Sequence, residues 1–173
     1  MSTIQFNSTV PAIRILEHEH HYLTQLMNQW HAIVRQLQTG RYSSAEQARL
    51  EFSRLRSLVE AFVPPFINHS KKEEQFFFPM LGQYIGYEQG PIMPIEEEHG
   101  EVLSYLNHFL KHAEGEHSLQ EMIDMTRDVG EAFEILMIHF VKEESVLFPM
   151  TAQLMSKRDQ ERLFEQLHSL IDE

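Results

Sequence analysis

A twelve-residue segment that occurs twice in the chain constrains its fold more than any other feature. The copies run from His69 to Met80 and from His139 to Met150, and seven of the twelve positions are identical. Each copy carries a histidine followed four residues later by a glutamate, a spacing that puts both side chains on one face of a helix. An internal duplication of this kind brings metal ligands together at the centre of a helix bundle.

A second, shorter repeat lies upstream of each copy. Residues 16–23 read Leu-Glu-His-Glu-His-His-Tyr-Leu, and they resemble residues 95–102, which read Ile-Glu-Glu-Glu-His-Gly-Glu-Val. Each half of the duplication therefore supplies one more Glu-His pair ahead of the longer segment.

Apolar residues at three- and four-residue steps predict two long helices in the first half of the chain. The first begins near Pro11 and ends at Gly40. The second starts at a capping box formed by Ser43 and a glutamate three residues later. Pro64 and Pro65 are predicted to kink or break this second helix, because proline removes a donor and clashes with the preceding turn.

Apolar periodicity and capping residues predict helices in the second half of the chain as well. Pro79 is expected to close the first copy of the repeat, and residues 82–94 are expected to form a long connection. A third helix is predicted over about residues 94–114, a fourth after a cap at Ser118, and a short C-terminal helix after Ser156. The chain is therefore predicted to be all-α, an antiparallel up-down four-helix bundle with an extra short C-terminal helix.

Composition limits the classes of protein and partner. We expect a single domain over residues 1–173, with the bundle core over about 11–155. The formal net charge of -12 argues against a nucleic-acid partner. No apolar run is long enough to span a membrane, and no signal-peptide pattern is present. The absence of cysteine excludes thiolate metal sites and is consistent with a cytoplasmic location.

A buried carboxylate is the sequence's strongest indication of a metal. Glu143 lies on the same helical stripe as Phe140 and Leu147, so it is predicted to face the core. A lone ionised carboxylate in that position is very costly, and two of them, one from each repeat, also repel each other. Metal cations remove both problems, and neutral imidazole with carboxylate suits iron, manganese or zinc.

Three histidines of the first helix are candidate ligands. His20 lies on the apolar stripe, seven residues before Met27, whereas His18 and His21 point further outward. The shorter repeat gives the same choice, because it aligns His20 with His99. His18, which also follows a glutamate, stays as the alternative to His20.

The predicted ligand set has twofold pseudo-symmetry, with two histidines for each metal and glutamates that bridge both metals. It consists of His20, His69, Glu73, His99, His139 and Glu143. Glu17 and Glu96 stand three residues before the upstream histidines, and three roles are open to them: binding the metal, orienting a ligand, or favouring the helix dipole. The last two roles are preferred. Four further charged residues of the repeat are predicted to face solvent: Lys72, Glu74, Lys142 and Glu144.

The two copies of Glu-His followed by His-x-x-x-Glu and Phe-Pro resemble the hemerythrin-like, HHE cation-binding family over roughly residues 11–155. That resemblance implies a four-helix bundle that holds a non-haem diiron centre. The oxygen-carrying members have a further histidine where this chain has Leu103, and an aspartate five residues after the fourth-helix histidine, where this chain has Glu143 four residues after it. The pattern is more similar to the diiron domain of iron–sulfur cluster repair proteins, whose frequent cysteine-bearing N-terminal domain is expected to be absent here.

The resemblance implies two bridged iron ions, with manganese or zinc as possible substitutes, and reactivity with oxygen or nitric oxide. The first hypothesis is a protein that binds or senses such a small diatomic ligand. The alternative is a diiron enzyme or iron donor in nitrosative or oxidative stress and iron–sulfur cluster repair. The sequence does not decide whether the chain is an enzyme, and it indicates neither a protein partner nor an oligomeric state.

Overall fold

Helices make up all the regular secondary structure in the described part of the chain. The computed structural model describes residues 7–170, which contain no strand, so the all-α prediction is confirmed there. The α-helices are α1 Pro11–Gln38, α2 Ala45–Lys72, α3 Phe78–Ile85, α4 Ile92–His112, α5 Leu119–Lys142, α6 Phe148–Leu154 and α7 Lys157–Ser169. Two π-helical segments, Glu73–Phe77 and Glu143–Leu147, follow α2 and α5.

The described residues form two compact units. One unit comprises residues 7–22, 67–99 and 138–170, and the other comprises residues 23–66 and 100–137. Both copies of the twelve-residue repeat and all the candidate ligands belong to the first unit, so that unit is the one that matters for the site. The ends of the predicted domain, residues 1–6 and 171–173, lie outside the described residues. Among the described helices, none is long and apolar enough to cross a membrane.

Serine side chains cap three of the helices. Ser118 and Ser156 accept backbone hydrogen bonds at the starts of α5 and α7, at 3.2 Å and 3.1 Å, as predicted. At α2 the prediction was wrong by one residue, because Ser44, and not Ser43, accepts from the backbone N–H of Gln47 at 3.1 Å. The capping rule therefore located each helix start to within one residue.

The second helix does not break at its two prolines. α2 continues through Pro64 and Pro65 to Lys72. The carbonyls that lose their backbone donors belong to Glu60 and Ala61, which are exposed, so water can take the place of the missing N–H groups. Phe66 stays fully buried on the inner side of the same turn. Packing of the inner face thus outweighs the local preference of proline, and the repeat is reached without interruption.

Pro79 does not end the helical path of the first copy of the repeat either. After the π segment the backbone N–H of Phe78 donates to the carbonyl of Glu73, five residues back, and Phe148 does the same to Glu143. The wider turn places the proline of each copy in the first turn of the next α-helix, where its missing donor is tolerated. π turns of this kind are frequent at functional sites.

The connection predicted over residues 82–94 is shorter than expected. α3 continues to Ile85 and α4 begins at Ile92, so only residues 86–91 join them. Gly86 has φ of 81°, a left-handed conformation that lets the chain leave α3.

Two glycine-to-alanine changes test the helix assignments in opposite directions. Gly40 has φ of 71° after α1, so Gly40→Ala is expected to destabilise the chain by about 1 kcal/mol, because a side chain is strained there. Gly100 lies inside α4 with open space around its Cβ position, so Gly100→Ala is expected to stabilise by about 1 kcal/mol. Urea unfolding of the metal-free chain measures the change in the free energy of unfolding for each variant. Changes of the same sign in both variants would contradict these backbone assignments.

Candidate metal centre

The structure brings all six predicted ligand residues together in the first unit. They form two groups of four in which one ligand atom from each residue lies within 4.8 Å of the others. The first group is His20, His69, Glu73 and Glu143, and the second is Glu73, His99, His139 and Glu143. Each side chain is at most 2% exposed. The two groups share both glutamates and no histidine, the arrangement that the twofold pseudo-symmetry predicts.

Each copy of the repeat places its histidine at the end of an α-helix and its glutamate at the start of the π segment. Within one copy, Nε2 of His69 lies 3.2 Å from Oε1 of Glu73; within the other, His139 contacts Glu143. Between helices, Nε2 of His99 lies 3.1 Å from Oε1 of Glu73. Nε2 of His20 lies 3.9 Å from Oε1 of Glu143, so all four imidazoles present Nε2 to the glutamates.

A carboxylate contacts the other ring nitrogen of every one of the four histidines. The pairs at Nδ1 are His20 with Glu144 at 3.0 Å, His69 with Glu19 at 3.0 Å, His99 with Glu74 at 2.9 Å and His139 with Glu98 at 3.3 Å. With the Nδ1–H donating to the carboxylate, the lone pair of Nε2 is directed at the centre. Carboxylates in this position orient metal-binding histidines and raise their basicity.

Two of these carboxylates are themselves held by lysines of the repeat. Lys72 donates to Glu19, and Lys142 donates to Glu98 at 3.1 Å. Burial acts to raise the pKa of Glu19, but its hydrogen bonds with His69 and Lys72 outweigh that effect and lower it. The side chain of Lys72 is 2% exposed, whereas that of Lys142 is 44% exposed. The prediction that both lysines face solvent was therefore wrong for Lys72.

The residues that orient the histidines were missed by the analysis of the sequence. Glu74 and Glu144 are 40% and 42% exposed, in line with an outward position, yet each bonds a histidine. The repeats nevertheless indicated these residues, because the same residue types recur at matching positions. Glu19 and Glu98 occupy matching positions, as do the two lysines and the glutamates after the predicted bridging ones, although none of them lies on an apolar stripe.

Several buried atoms at the centre lie close to other polar atoms but make no hydrogen bond of good geometry among the described residues. They are Nε2 of His20, His69 and His139, Oε2 of Glu73, and both carboxylate oxygens of Glu143. Buried polar atoms are nearly always paired in folded proteins, and an unpaired one is costly. Oxygen and imidazole-nitrogen donors that converge without partners fit a cation of the iron, manganese or zinc type.

The charges of the residues at the centre depend on one another. Burial lowers the pKa of His20 to about 4. Burial also acts against protonation of His69, but the charge of Glu73 and the hydrogen bond to Glu19 raise the pKa of His69 to about 9. Burial acts to raise the pKa of Glu73, yet His69 and His99 hold it well below its usual range. The buried glutamates thus require positive charge beside them, which a bound cation also supplies.

The alternative candidates lie away from the two groups of four. His18 is exposed, two residues from the buried His20. Glu17 accepts the backbone N–H of Asn7 at 2.9 Å, and Glu96 is only partly buried. Within residues 7–170, none of these three belongs to either group of ligand atoms.

Replacement of the two lysines is expected to have unequal effects on stability. Lys72→Met is predicted to destabilise the metal-free chain by about 3 kcal/mol, because it leaves Glu19 without its buried cation. Lys142→Met removes a half-exposed pair and is predicted to cost about 1 kcal/mol or less. Urea unfolding followed by circular dichroism measures the difference, and equal losses would contradict the burial difference between the two lysines.

Comparison with known proteins agrees with this geometry. A family model described as the hemerythrin HHE cation-binding domain matches residues 12–151. Iron–sulfur cluster repair proteins YtfE of Salmonella typhimurium, Escherichia coli and Citrobacter koseri are 34% identical to this chain over 87 residues. That match spans 47% of this chain and 40% of the length of each relative. No solved structure matches the chain significantly. The family match covers most of the chain, which therefore belongs to the hemerythrin HHE cation-binding family.

Proposed function

We propose that this chain is a non-haem diiron protein that acts in the repair of iron–sulfur clusters. The observation that carries the proposal is the pair of four-residue groups that share Glu73 and Glu143. Two groups of donors around two shared carboxylates fit two cations better than one, because a single ion leaves half of the histidines unused.

In this proposal His20 and His69 would hold one iron, His99 and His139 would hold the other, and Glu73 and Glu143 would serve both. The unpaired atoms at the centre support it, because bound cations would satisfy them together. The carboxylates at Nδ1 fix each imidazole so that Nε2 is available. Manganese and zinc remain possible substitutes, since the same donors accept them. An iron pair supplies redox chemistry and affinity for small ligands.

The names of the relatives favour repair over sensing. They are called iron–sulfur cluster repair proteins, and their matched region covers 47% of this chain. We therefore propose that the iron pair serves that process, as a donor of iron or as a reactive centre. Binding or sensing of oxygen or nitric oxide, with a diatomic ligand as the partner, stays a prediction.

We further propose that α1, α2, α4 and α5 form an antiparallel up-down four-helix bundle, with α7 as the extra short helix, in one domain located in the cytoplasm. The family match supports this arrangement, as do the short connections between the long helices.

Replacement of neighbouring histidines on α1 tests the ligand assignment. His20→Ala is expected to lower bound iron from about two to about one per chain, because it removes one ligand from a single group. His18→Ala is the matched control, since His18 is exposed two residues away. The measurement is metal analysis after anaerobic loading with ferrous iron and dialysis. Loss of iron in His18→Ala but not in His20→Ala would reverse the assignment.

Transfer of iron to a damaged cluster tests the repair role. The iron-loaded chain is freed of unbound iron by gel filtration and is then incubated anaerobically, in the presence of a reductant, with a hydratase whose cluster has lost one iron. Hydratase activity is expected to return with the loaded chain. The His69→Ala, His139→Ala double variant is expected to restore none, because each iron loses a ligand. A loaded chain that holds two irons and restores no activity would contradict the donor role.

A further inference from the structure

We propose that the two iron positions are inequivalent and that the position formed by His99 and His139 releases its iron first. The position formed by His20 and His69 retains its iron. The proposal rests on the diiron site proposed above, and it deepens that function by naming the iron that is delivered. It derives from two differences between otherwise matching copies of the repeat.

The first difference lies in the lysines. At both positions a lysine donates a hydrogen bond to the carboxylate that orients one of the histidines. At the retained position, formed by His20 and His69, the lysine is Lys72, which is 2% exposed. At the position formed by His99 and His139 the lysine is Lys142, which is 44% exposed. The two carboxylates, Glu19 and Glu98, are similarly exposed at 21% and 16%, so the asymmetry comes from the lysines.

The exposure of each lysine decides how firmly the carboxylate beside it holds its histidine. A pair that is shielded from water attracts more strongly than one in solvent, and an exposed lysine exchanges its carboxylate for water at little cost. The distances agree, because His139 lies 3.3 Å from Glu98, whereas His69 lies 3.0 Å from Glu19. Loss of such an orienting contact typically weakens metal binding by about 10- to 100-fold.

The second difference is a phenylalanine that only one copy contains. Phe140 directly follows His139, and its ring stacks on His20 with ring centres 4.1 Å apart. The matching residue in the other copy is Ser70, which directly follows His69. The Phe140 ring therefore packs most closely on a ligand of the retained position, since its ring centre is 5.8 Å from that of His139. The other copy has a serine at the matching place.

Ser70 makes this difference chemical as well as steric. It is 5% exposed, and its hydroxyl has no hydrogen-bond partner among the described residues. Phe140 alone accounts for the difference in ring packing, because Phe148 stacks on His20 and the matching Phe78 stacks on His99 in the same way.

Release of iron to a chromophoric ferrous chelator tests the proposal without any enzyme assay. The wild-type chain, loaded anaerobically with two ferrous ions, is expected to release them in two phases of about one iron each. The rate constants are expected to differ by about 10-fold or more. Release of two irons in one phase would overturn the inference and leave the diiron site standing. A chain that never binds more than one iron would overturn both.

Single-position variants identify which iron is fast. The one iron left in His99→Ala is expected to leave more slowly than the one left in His20→Ala, because it occupies the retained position. The reverse order would overturn the assignment even if the wild-type release has two phases.

The lysines provide a matched pair of variants. Lys72→Met is expected to speed the slow phase until the two phases merge, whereas Lys142→Met leaves the slow phase unchanged. Lys72→Arg keeps the charge and is expected to retain two phases. If Lys72→Met does not fold, Phe140→Leu gives an independent test, because it removes the ring that stacks on His20 and keeps an apolar side chain there. It is expected to speed the slow phase, and an unchanged slow phase would contradict the role of Phe140.

Discussion

Two carboxylates that are fully buried without sufficient partners are the constraint on which this structure depends. Glu73 and Glu143 each have 0% exposure, and three of their four oxygens lack a hydrogen-bond partner among the described residues. An apolar environment penalises such charges strongly, so the surrounding residues make sense only together with positive charge at the centre. Four histidines supply ligands for it, and a ring of outer carboxylates sets the orientation of those histidines.

The duplication explains how one chain builds such a centre. Each copy places a histidine and a glutamate on successive turns, and the π turn that begins at the glutamate lets the helical path continue past the following proline. The copies have also diverged. Phe140 stands where the other copy has Ser70, and Lys72 is buried where Lys142 is exposed, so a nearly symmetric ligand set has two chemically different sides.

Periodicity and the repeat predicted the helices and the six central residues, because burial and ligand geometry both follow helical spacing. They misjudged Pro64 and Pro65, where packing of the inner face outweighs a local propensity. The burial of Lys72 was also missed, since it depends on a contact with Glu19 on another helix, and no pattern within one helix contains that contact. The π turns follow from backbone geometry that side-chain spacing does not encode.

Anomalous diffraction at the iron edge, from crystals of the iron-loaded chain, shows whether two irons lie around the shared glutamates. Two peaks are expected, one beside Nε2 of His20 and His69 and the other beside Nε2 of His99 and His139. Both peaks should lie within bonding distance of carboxylate oxygens of Glu73 and Glu143. A single peak, or iron bound only at exposed histidines, would contradict the bridged site.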